Sequence, residues 1–304
     1  MKRSLVYALL FLLPVLLPSG LAPATVEGRP ALSPFTGEDR YFRVVSFNIR
    51  YNNPADGENA WPKRKDIVAA LIRFHRADLV GIQEALKDQI ADLEKLLPRF
   101  GWCGVGRDDG KSKGEFSAIF YSKDRFELLD SATFWLSETP DAPGSRGWDA
   151  ALPRIVTWAR FKDKATSKIF FHFNTHFDHR GERARTESAR LLINRIEKIA
   201  ARHPVVVTGD FNFNESAEGY RTLTEKNVDN PSLALQDAHY ISAQDHYGPT
   251  STFNGFKAIV PASKIDFILV KGRVRVLQHG ILSDTWDGRF PSDHLPVLAE
   301  VVVE

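Results

Sequence analysis

The sequence predicts an α/β fold, because stretches with the period of buried strands alternate with stretches that have the period of amphipathic helices. The N-terminal part reads strand–helix–strand–helix, the middle is a succession of strands, and a long amphipathic helix follows from about Glu182 to Ala201. The chain has 304 residues, 43% of them hydrophobic. That length and composition suit one large domain with a core of its own.

The first elements end in polar residues. Arg43 to Arg50 alternates as a strand and delivers Asn48 near its end, and a helix follows Pro62. Asp78 to Glu84 is a second buried strand, which ends in Glu84, and a helix runs from Leu86 to Leu97. Functional sites of α/β sheets gather at the carboxyl ends of strands. Asn48 and Glu84 are therefore candidates for a site.

The middle of the chain is rich in aromatic and β-branched residues without helical periodicity. The predicted strands are Phe116 to Tyr121, Phe126 to Trp135, Arg154 to Phe161 and Lys168 to His176. The turn-rich segment Ser137–Pro153 separates two of them. Such a segment is either disordered decoration or a specificity element, and Trp148 within it favours a specificity element.

The chain is organised around Pro204 to Asn214. Three valines after Pro204 predict a short buried strand, which Gly209 ends. Asp210 and Asn212 lie two apart, so in extended chain their side chains face the same way. An acid and an amide placed together suit water activation and oxyanion binding, although an isolated Gly-Asp-x-Asn is more typical of an Asx turn after a strand. A short helix (Ala217 to Glu225) and two further strands follow; the strands are Ser263 to Val270 and Leu298 to Val302.

Residues 1–24 have the pattern of a secretory signal peptide. Lys2 and Arg3 precede an apolar run from Leu5 to Leu17, and small residues stand at a cleavage site near Ala24. The run is too short to span ~30 Å of hydrocarbon, and prolines interrupt it, so an anchor is disfavoured. We predict a flexible lead over 25–40, a single domain over 41–304, export to the periplasm or the medium, and no stable membrane insertion.

The net charge of the chain limits the classes of partner that we expect. Residues 1–24 carry two cations and no acid, which leaves 38 Lys+Arg against 38 Asp+Glu. Long nucleic acids usually require a basic face, so a neutral chain disfavours that class of partner without removing it from consideration. The single Cys103 has no intramolecular disulfide partner, so stability depends on the core.

The polar residues at the strand ends occur in motifs that resemble, closely and in order, those of the endonuclease/exonuclease/phosphatase superfamily, with an exported bacterial-type subgroup as the nearest pattern. The motifs are Ser-Phe-Asn48, Gln83-Glu84, Asn174-Thr-His176, Gly209-Asp210-Phe-Asn212, Ile265-Asp266-Phe and Ser292-Asp293-His294-Leu-Pro-Val. The resemblance implies a DNase-I-like, four-layered α/β/β/α sandwich of two mixed β-sheets flanked by helices. It also implies divalent-metal-dependent hydrolysis of a phosphate ester.

The resemblance further implies a division of roles. Glu84 would be the main metal ligand, helped by Asn48 and Asp293, and oxygen ligands suit Mg²⁺ or Mn²⁺. Asp210 would orient or deprotonate the attacking water, and Asn212 would hold that water or a phosphoryl oxygen. The remaining implied pair is Asp266, which would orient a ring, and His294, which would stabilise developing negative charge.

The DNase-I-like branch of the superfamily pairs a histidine with a glutamate, and His176 and Glu115 match those positions. Such a pair would keep His176 protonated. Arg154 matches a basic residue near the scissile phosphate, and the segment with Phe253 and Phe256 lies where the superfamily places a connection beside the site. These three residues are therefore predicted to bind substrate; the alternatives are a surface ion pair for Arg154 and, with equal weight, core packing for the two phenylalanines.

Arg107 to Lys113 has the composition of a phosphate-binding loop but lacks its glycine spacing and its following helix, so we expect a solvated loop near the rim of the cleft.

The predicted function is a secreted metal-dependent phosphoesterase that acts on a phosphodiester or a phosphomonoester of a small or extracellular substrate. A secreted DNase-I-like nuclease is the first alternative, disfavoured by the neutral charge. A catalytically inactive binding module on the same fold is the second. Inactive members usually lose a metal-binding or water-orienting carboxylate, whereas Glu84, Asp210 and Asp293 are all present.

Overall fold

The computed structural model describes residues 41–225 and 234–304. The predicted signal peptide and the predicted lead lie outside the described residues. Among the described helices, none has the length and apolar character that are needed to cross a bilayer.

The described residues form twelve strands and five α-helices. The strands are β1 (Phe42–Asn48), β2 (Leu79–Ala85), β3 (Phe100–Cys103), β4 (Phe116–Ser122), β5 (Phe126–Trp135), β6 (Ile155–Asp163), β7 (Ile169–His176), β8 (Val205–Asp210), β9 (Gln236–Asp237), β10 (Asp266–Lys271), β11 (Val274–Ile281) and β12 (Val297–Val303). The helices are α1 (Lys65–Phe74), α2 (Lys87–Leu96), α3 (Glu182–Ala200), α4 (Glu218–Thr224) and α5 (Ala238–Ile241). Two short 3₁₀ segments, Pro54–Asn59 and Trp61–Lys63, precede α1.

The strands form two six-stranded mixed sheets. The first has the order β11-β12-β1-β2-β4-β3 and the second β5-β6-β7-β8-β10-β9. Each contains one parallel pair, β1 with β2 and β7 with β8, whereas the other neighbours are antiparallel. The strands of each parallel pair are connected through a helix, α1 or α3, as a parallel connection requires.

Apolar side chains form three layers, one for each interface between the layers of secondary structure. Val68 and Leu71 of α1 pack with Phe47 on the outer face of the first sheet. Residues of α3 pack on the outer face of the second sheet in the same manner. Phe42 and Phe161 belong to the layer between the two sheets. The predicted four-layered sandwich is confirmed.

A buried polar network also joins the two sheets, immediately behind the candidate site. Asn174 on β7 donates through Nδ2 to the carbonyls of Ile82 and Ala118, each at 2.9 Å. Its Oδ1 accepts from Gln83 Nε2 at 2.7 Å and from Thr208 Oγ1 at 2.9 Å. The sequence motifs that contain Gln83 and Asn174 therefore fix the relative position of the sheets.

Several elements were not predicted from the sequence: β3, β9, β11 and α5. The strands β3 and β9 have four and two residues, too few to show a period. The strand β11 is longer, but exposed Arg275 and Gln278 and a register shift between Val276 and Gln278 interrupt its alternation. Edge strands such as β11 commonly carry such interruptions.

The segment Ser137–Pro153 is ordered by contacts of its own. Ser137 Oγ and Ser145 Oγ lie 2.7 Å apart, and the Glu138 carboxylate accepts from Trp148 N at 3.1 Å. The backbone N–H of Leu152 donates to Asp178 Oδ2 at 3.3 Å, two residues past His176. Of the two readings of this segment, disordered decoration is therefore wrong, whereas specificity stays a prediction.

Candidate active site

The ends of five strands bring the predicted site residues together. In the first sheet Asn48 of β1 is paired with Gln83 of β2. In the second sheet Asp210 of β8 lies between His176 of β7 and Asp266 of β10. Because the two sheets stack face to face, these ends form one cluster at the same edge of the sandwich.

Three residues of the site have a left-handed backbone conformation. Glu84 has φ 66°, Arg50 φ 56° and Asn212 φ 52°, and none of them is glycine. The Glu84 conformation coincides with a register shift in β2 between Ile82 and Ala85. Left-handed conformations of non-glycine residues persist where the surrounding structure holds them, commonly at functional sites. The shift turns Glu84 towards Tyr51, whose N–H donates to Glu84 Oε2 at 3.1 Å.

Asn48 is fully buried and links the two sheets at the site. Its Nδ2 donates to Glu84 Oε1 at 3.0 Å and to Asp210 Oδ2 at 2.9 Å, while its Oδ1 accepts from Arg50 N at 3.0 Å. The amide thereby holds two carboxylates near each other. A direct metal contact through Asn48, as predicted, requires its oxygen to face Glu84 instead.

Asp210 occupies the centre of the cluster. Its Oδ2 lies 3.5 Å from His176 Nε2 and 3.8 Å from His294 Nε2. Burial, followed by the negative charge of Asp266, raises the pKa of Asp210 to about 7. A carboxylate with this pKa can both accept and release a proton near neutral pH, as a general base requires.

Asp266 and His294 form the predicted orienting pair. His294 Nδ1 donates to Asp266 Oδ2 at 2.9 Å, so that Nε2 faces Asp210. Burial opposes the charged ring, but Asp266 and Asp210 outweigh it and raise the pKa of His294 well above its usual value. A cationic His294 is therefore fixed with an N–H aimed at the centre of the cluster.

Asn212 reaches the cluster by a route other than the expected one. Its positive φ shows that the chain has left the extended conformation, so strand alternation does not align it with Asp210. Its Nδ2 donates to His176 Nε2 and to the Phe177 carbonyl, both at 3.0 Å. Both amide hydrogens are thus used, whereas Oδ1 has no hydrogen-bond partner among the described residues. This arrangement suits holding a water molecule better than donating to a phosphoryl oxygen.

The bond from Asn212 also fixes His176. Because Nε2 accepts, the neutral ring carries its proton on Nδ1, which lies 3.8 Å from Glu115 Oε2, too far for a hydrogen bond. Burial and then the charges of Arg154 and Arg107 lower the pKa of His176 well below its usual value. The expectation that Glu115 keeps His176 protonated is therefore wrong for this arrangement.

Arg107 is a site residue that the sequence interpretation missed. Its side chain is 9% exposed, and Nη1 donates to Glu115 Oε2 at 2.6 Å. Arg107 is the first residue of a loop that closes like a hairpin, with Gly106 bridging Phe116 and Arg107 N donating to the Glu115 carbonyl at 3.1 Å, and this closure turns Arg107 inward. Nothing local in the sequence marks such a closure, so the expectation of a solvated loop is wrong for Arg107.

Arg154 lies beside this group and is 4% exposed. Its Nε donates to Asp178 Oδ2 at 3.4 Å, and its Nη2 contacts His179 Nδ1 at 3.0 Å. Its Nη1 is buried and has no hydrogen-bond partner among the described residues. A buried guanidinium N–H without a partner is a ready donor for an anionic ligand.

The donor set fits a hard divalent cation. Glu84, His176 and Asp210 each place one ligand atom within 4.8 Å of the others, as do Asp210, Asp266 and His294. Asp293 is in neither of these groups of described residues, but burial and then Glu84 contribute to raising its pKa, which shows that the two carboxylates repel each other. Glu84 and Asp293 are the carboxylates that would hold Mg²⁺ or Mn²⁺, and binding would relieve this repulsion.

The Thr252–Phe256 segment supports the last motif. Asn254 N and Gly255 N donate to the Asp293 carbonyl at 2.8 and 3.1 Å. Phe253 packs edge-on against His294, with ring centroids 5.2 Å apart. Phe256 instead packs against the Arg64 guanidinium at 5.1 Å. Substrate contact by either phenylalanine stays a prediction.

Arg64 is the second residue that the sequence interpretation missed. It is 2% exposed, and its Nη1 donates to the carbonyls of Ile49 and Pro291 at 2.9 and 2.7 Å. It thereby fixes the backbone beside Asn48 to the backbone beside Asp293. Its position before α1 carries no sequence signal of this long-range role.

Several known proteins are similar to this chain over most of its length. The endonuclease/exonuclease/phosphatase from Bacteroides vulgatus is 46% identical and has a TM-score of 0.82, with 87% of this chain and 99% of that chain covered. A mannosyl-6-phosphatase from Bacteroides thetaiotaomicron is 39% identical, with a TM-score of 0.80 and coverage of 86% and 99%. A protein of Acanthamoeba polyphaga mimivirus is 27% identical over 253 residues, but the match spans only 35% of that relative's length and 70% of this chain.

The sequence model of the Endonuclease/Exonuclease/phosphatase family matches residues 45–294, from the middle of β1 to His294. The matched range contains every residue of the cluster described above. The chain therefore belongs to the endonuclease/exonuclease/phosphatase family, whose members are metal-dependent phosphoric ester hydrolases.

Proposed function

We propose that this protein is an exported phosphoesterase that requires Mg²⁺ or Mn²⁺ and hydrolyses a phosphate ester of a small molecule, with a sugar phosphomonoester as the favoured class. The observation that carries the proposal is the position of Asp210, whose Oδ2 lies within 3.8 Å of two imidazole Nε2 atoms and 2.9 Å from Asn48 Nδ2. Export rests on the N-terminal sequence.

The residues act on an in-line displacement at phosphorus. Asn212 Oδ1 holds the attacking water, and Asp210 takes its proton as the bond from oxygen to phosphorus forms. His294 donates its Nε2–H to the phosphoryl oxygen on which negative charge develops. Glu84 and Asp293 would hold a divalent cation, which would supply positive charge to neutralise the phosphate. The ester oxygen leaves and is protonated from solvent.

Two observations favour a small monoester. The mannosyl-6-phosphatase of Bacteroides thetaiotaomicron is 39% identical over nearly its full chain. Arg154 offers a buried Nη1 without a partner in the described part of the chain, and the guanidinium of Arg107 and the ring of His176 lie close by. A terminal phosphate dianion uses such fixed cations more fully than a diester monoanion does.

A nuclease is the second candidate, supported by the proximity of His176 and Glu115. An inactive binding module is the third; it is disfavoured because Glu84, Asp210 and Asp293 are all retained.

Metal dependence tests the proposal. Hydrolysis of sugar phosphates and of an aryl phosphodiester should cease in EDTA and return with Mg²⁺ or Mn²⁺. Glu84→Gln should raise the metal concentration for half-maximal activity by about tenfold or more, because a neutral amide attracts a hard cation less than a carboxylate does. Glu58→Gln is the matched control, since Glu58 is 81% exposed. Full activity in EDTA at confirmed zero metal content would overturn the proposal.

The substrate class is tested with the same protein. Initial rates on sugar monoesters, inositol phosphates, the aryl diester and duplex DNA should rank the monoesters first. A rank that places duplex DNA first would favour the nuclease, and inactivity across the panel with metal bound would favour the binding module.

A further inference from the structure

Three histidines from separate segments meet at a place that the mechanism does not use. His239 lies on α5, His246 on the connection that follows, and His279 on β11. One nitrogen of each lies within 4.8 Å of the others. Their ring centroids are 4.7 Å (His239 to His246), 5.2 Å (His239 to His279) and 5.1 Å (His246 to His279) apart.

The hydrogen bonds of His246 fix its ring. His246 Nε2 lies 2.8 Å from the Pro249 carbonyl, which can only accept, so Nε2 carries the proton. In the neutral ring, Nδ1 then holds a lone pair, and it faces His279 Nδ1 at 3.0 Å. Orientation of an imidazole by a carbonyl on its far nitrogen is the usual arrangement around protein-bound metals.

Two further ring nitrogens lack partners. His239 Nδ1 is buried and has no hydrogen-bond partner among the described residues, and neither has His279 Nε2, the nitrogen that would carry the proton when His279 Nδ1 binds the ion. Burial is the main cause that lowers the pKa of both rings, that of His279 to about 2. The neutral ring is the form of histidine that binds metal ions.

The spacing suits one ion. Two nitrogens bound to a tetrahedral Zn²⁺ at about 2.0–2.1 Å are about 3.3 Å apart. The 3.0 Å between Nδ1 of His246 and Nδ1 of His279 needs to widen by only a few tenths of an ångström. Imidazole ligands select ions of the Zn²⁺ type over Mg²⁺, which prefers oxygen.

The position in the fold gives such an ion a structural role. The segment with His246 follows the outer edge of the first sheet, where Tyr247 N donates to the His279 carbonyl at 3.0 Å. His239 belongs to α5, which directly follows β9 at the edge of the second sheet. Lys264 lies nearby, but its charge is balanced by Glu215 at 2.8 Å and Asp237 at 3.1 Å. An ion here would join the two sheets at one edge.

We propose that His239, His246 and His279 form a second metal site, which takes Zn²⁺ or a similar transition ion and joins the edges of the two sheets. This site is independent of the hard-cation site at Glu84.

Zn²⁺ alone is the probe. Chelator-treated full-length protein is titrated with Zn²⁺ in excess Mg²⁺ by calorimetry, and thermal unfolding is followed in parallel. The wild type should bind one Zn²⁺ and unfold at a higher temperature when saturated. Both His246→Gln and His239→Gln should weaken this binding at least tenfold, whereas the exposed His203→Gln and the active-site variant Glu84→Gln should retain it.

A measurement on the wild type removes dependence on the folding of the variants. X-ray absorption of the Zn²⁺-loaded protein should show three imidazole nitrogens at about 2.0 Å. Binding that is unchanged in both histidine variants, or a coordination shell made of carboxylate oxygens, would overturn the proposal. So would the absence of Zn²⁺ binding to the wild type in excess Mg²⁺.

Discussion

Asp210 is the residue on which the chemistry depends. Its carboxylate accepts a hydrogen bond from Asn48 of the first sheet and lies near the imidazoles of His176 and His294. Asp210→Asn preserves its shape but removes the base, so kcat should fall by ~10²-fold or more with little change in KM. Asp124→Asn, at a 59% exposed position, is the control. Steady-state kinetics on the best substrate of the panel measure the effect. An unchanged kcat would remove Asp210 from the role of base.

His294→Ala should cost a comparable factor, because it removes the N–H that faces developing charge. His294 and Asp210 act on one transition state, so the double variant should lose less than the product of the single losses. A strictly multiplicative loss would mean that the two residues act in separate steps.

At the scale of single residues, the sequence predicted which residues form the site better than it predicted how their side chains are arranged. Asn212 was placed by strand alternation, yet it reaches His176 through a left-handed turn. Asp266 and His294 form the implied pair at 2.9 Å, since Asp266 begins β10 and His294, which precedes β12, is held by a bridge to Phe253. Arg64 and Arg107 were missed, since their partners depend on loop closure and on residues far along the chain.

At the scale of elements, the approach of β2 to the second sheet has little room for change. A Cβ added at Gly81 would lie 1.9 Å from Thr208 Oγ1 and 2.5 Å from Asn174 Oδ1. Gly81→Ala should therefore lower the free energy of unfolding by about 2 kcal/mol or more through overpacking. Denaturant unfolding measures this change.

Thr208→Ala supplies the control for that prediction. It removes the nearest clashing atom, so the double variant Gly81→Ala/Thr208→Ala should be less destabilised than the sum of the two single variants. Additive losses would show that the crowding lies elsewhere. The close approach could not be predicted from sequence, because a glycine within a strand is compatible with a bulge as well as with a neighbouring side chain.

Elements whose period was continuous were predicted within a few residues of their bounds, among them α3 and β5. The edge strand β11 was missed because its pattern is broken by exposed polar residues, and α5 because it is only four residues long. Pairing with β12 defines β11, and contact with the second sheet helps to define α5. Neither contact can be read from the local sequence.

For the whole molecule, buried histidines make stability depend on pH. His172 is fully buried, and burial lowers its pKa to about 3. Its unfolded value is near 6.5, so below that pH the unfolded chain binds a proton that the folded chain does not. The stability due to neutral His172 is thus fully present above pH ~6.5 and is lost as the pH falls towards about 3.

This effect can be isolated with one variant. Asp210 and Glu115 have raised pKa values of about 7 and act in the opposite direction, but they are the same in wild type and variant. Urea unfolding should therefore show a shallower loss of stability between about pH 6.5 and 5 for His172→Gln than for wild type, by up to ~1.4 kcal/mol per pH unit. His203→Gln should follow the wild type. Parallel profiles for all three would show that His172 does not remain neutral in the folded state.

The charges of the protein bear on whether its substrate is a small phosphate ester or a nucleic acid. A nuclease that follows a long duplex neutralises several phosphates, and its affinity then falls steeply with salt because counterions are released. Here the cationic groups at the cluster are already matched by carboxylates, Arg107 by Glu115 and Arg154 by Asp178. Such a site can contact only one or two phosphates. We therefore expect weak action on duplex DNA, with kcat/KM nearly flat in salt between about 50 and 200 mM.

Hydrolysis of the preferred monoester, measured in the same buffers, controls for effects of salt on the protein itself. Efficient duplex cleavage whose logarithm falls by several units for each tenfold rise in salt would make the nuclease the better description.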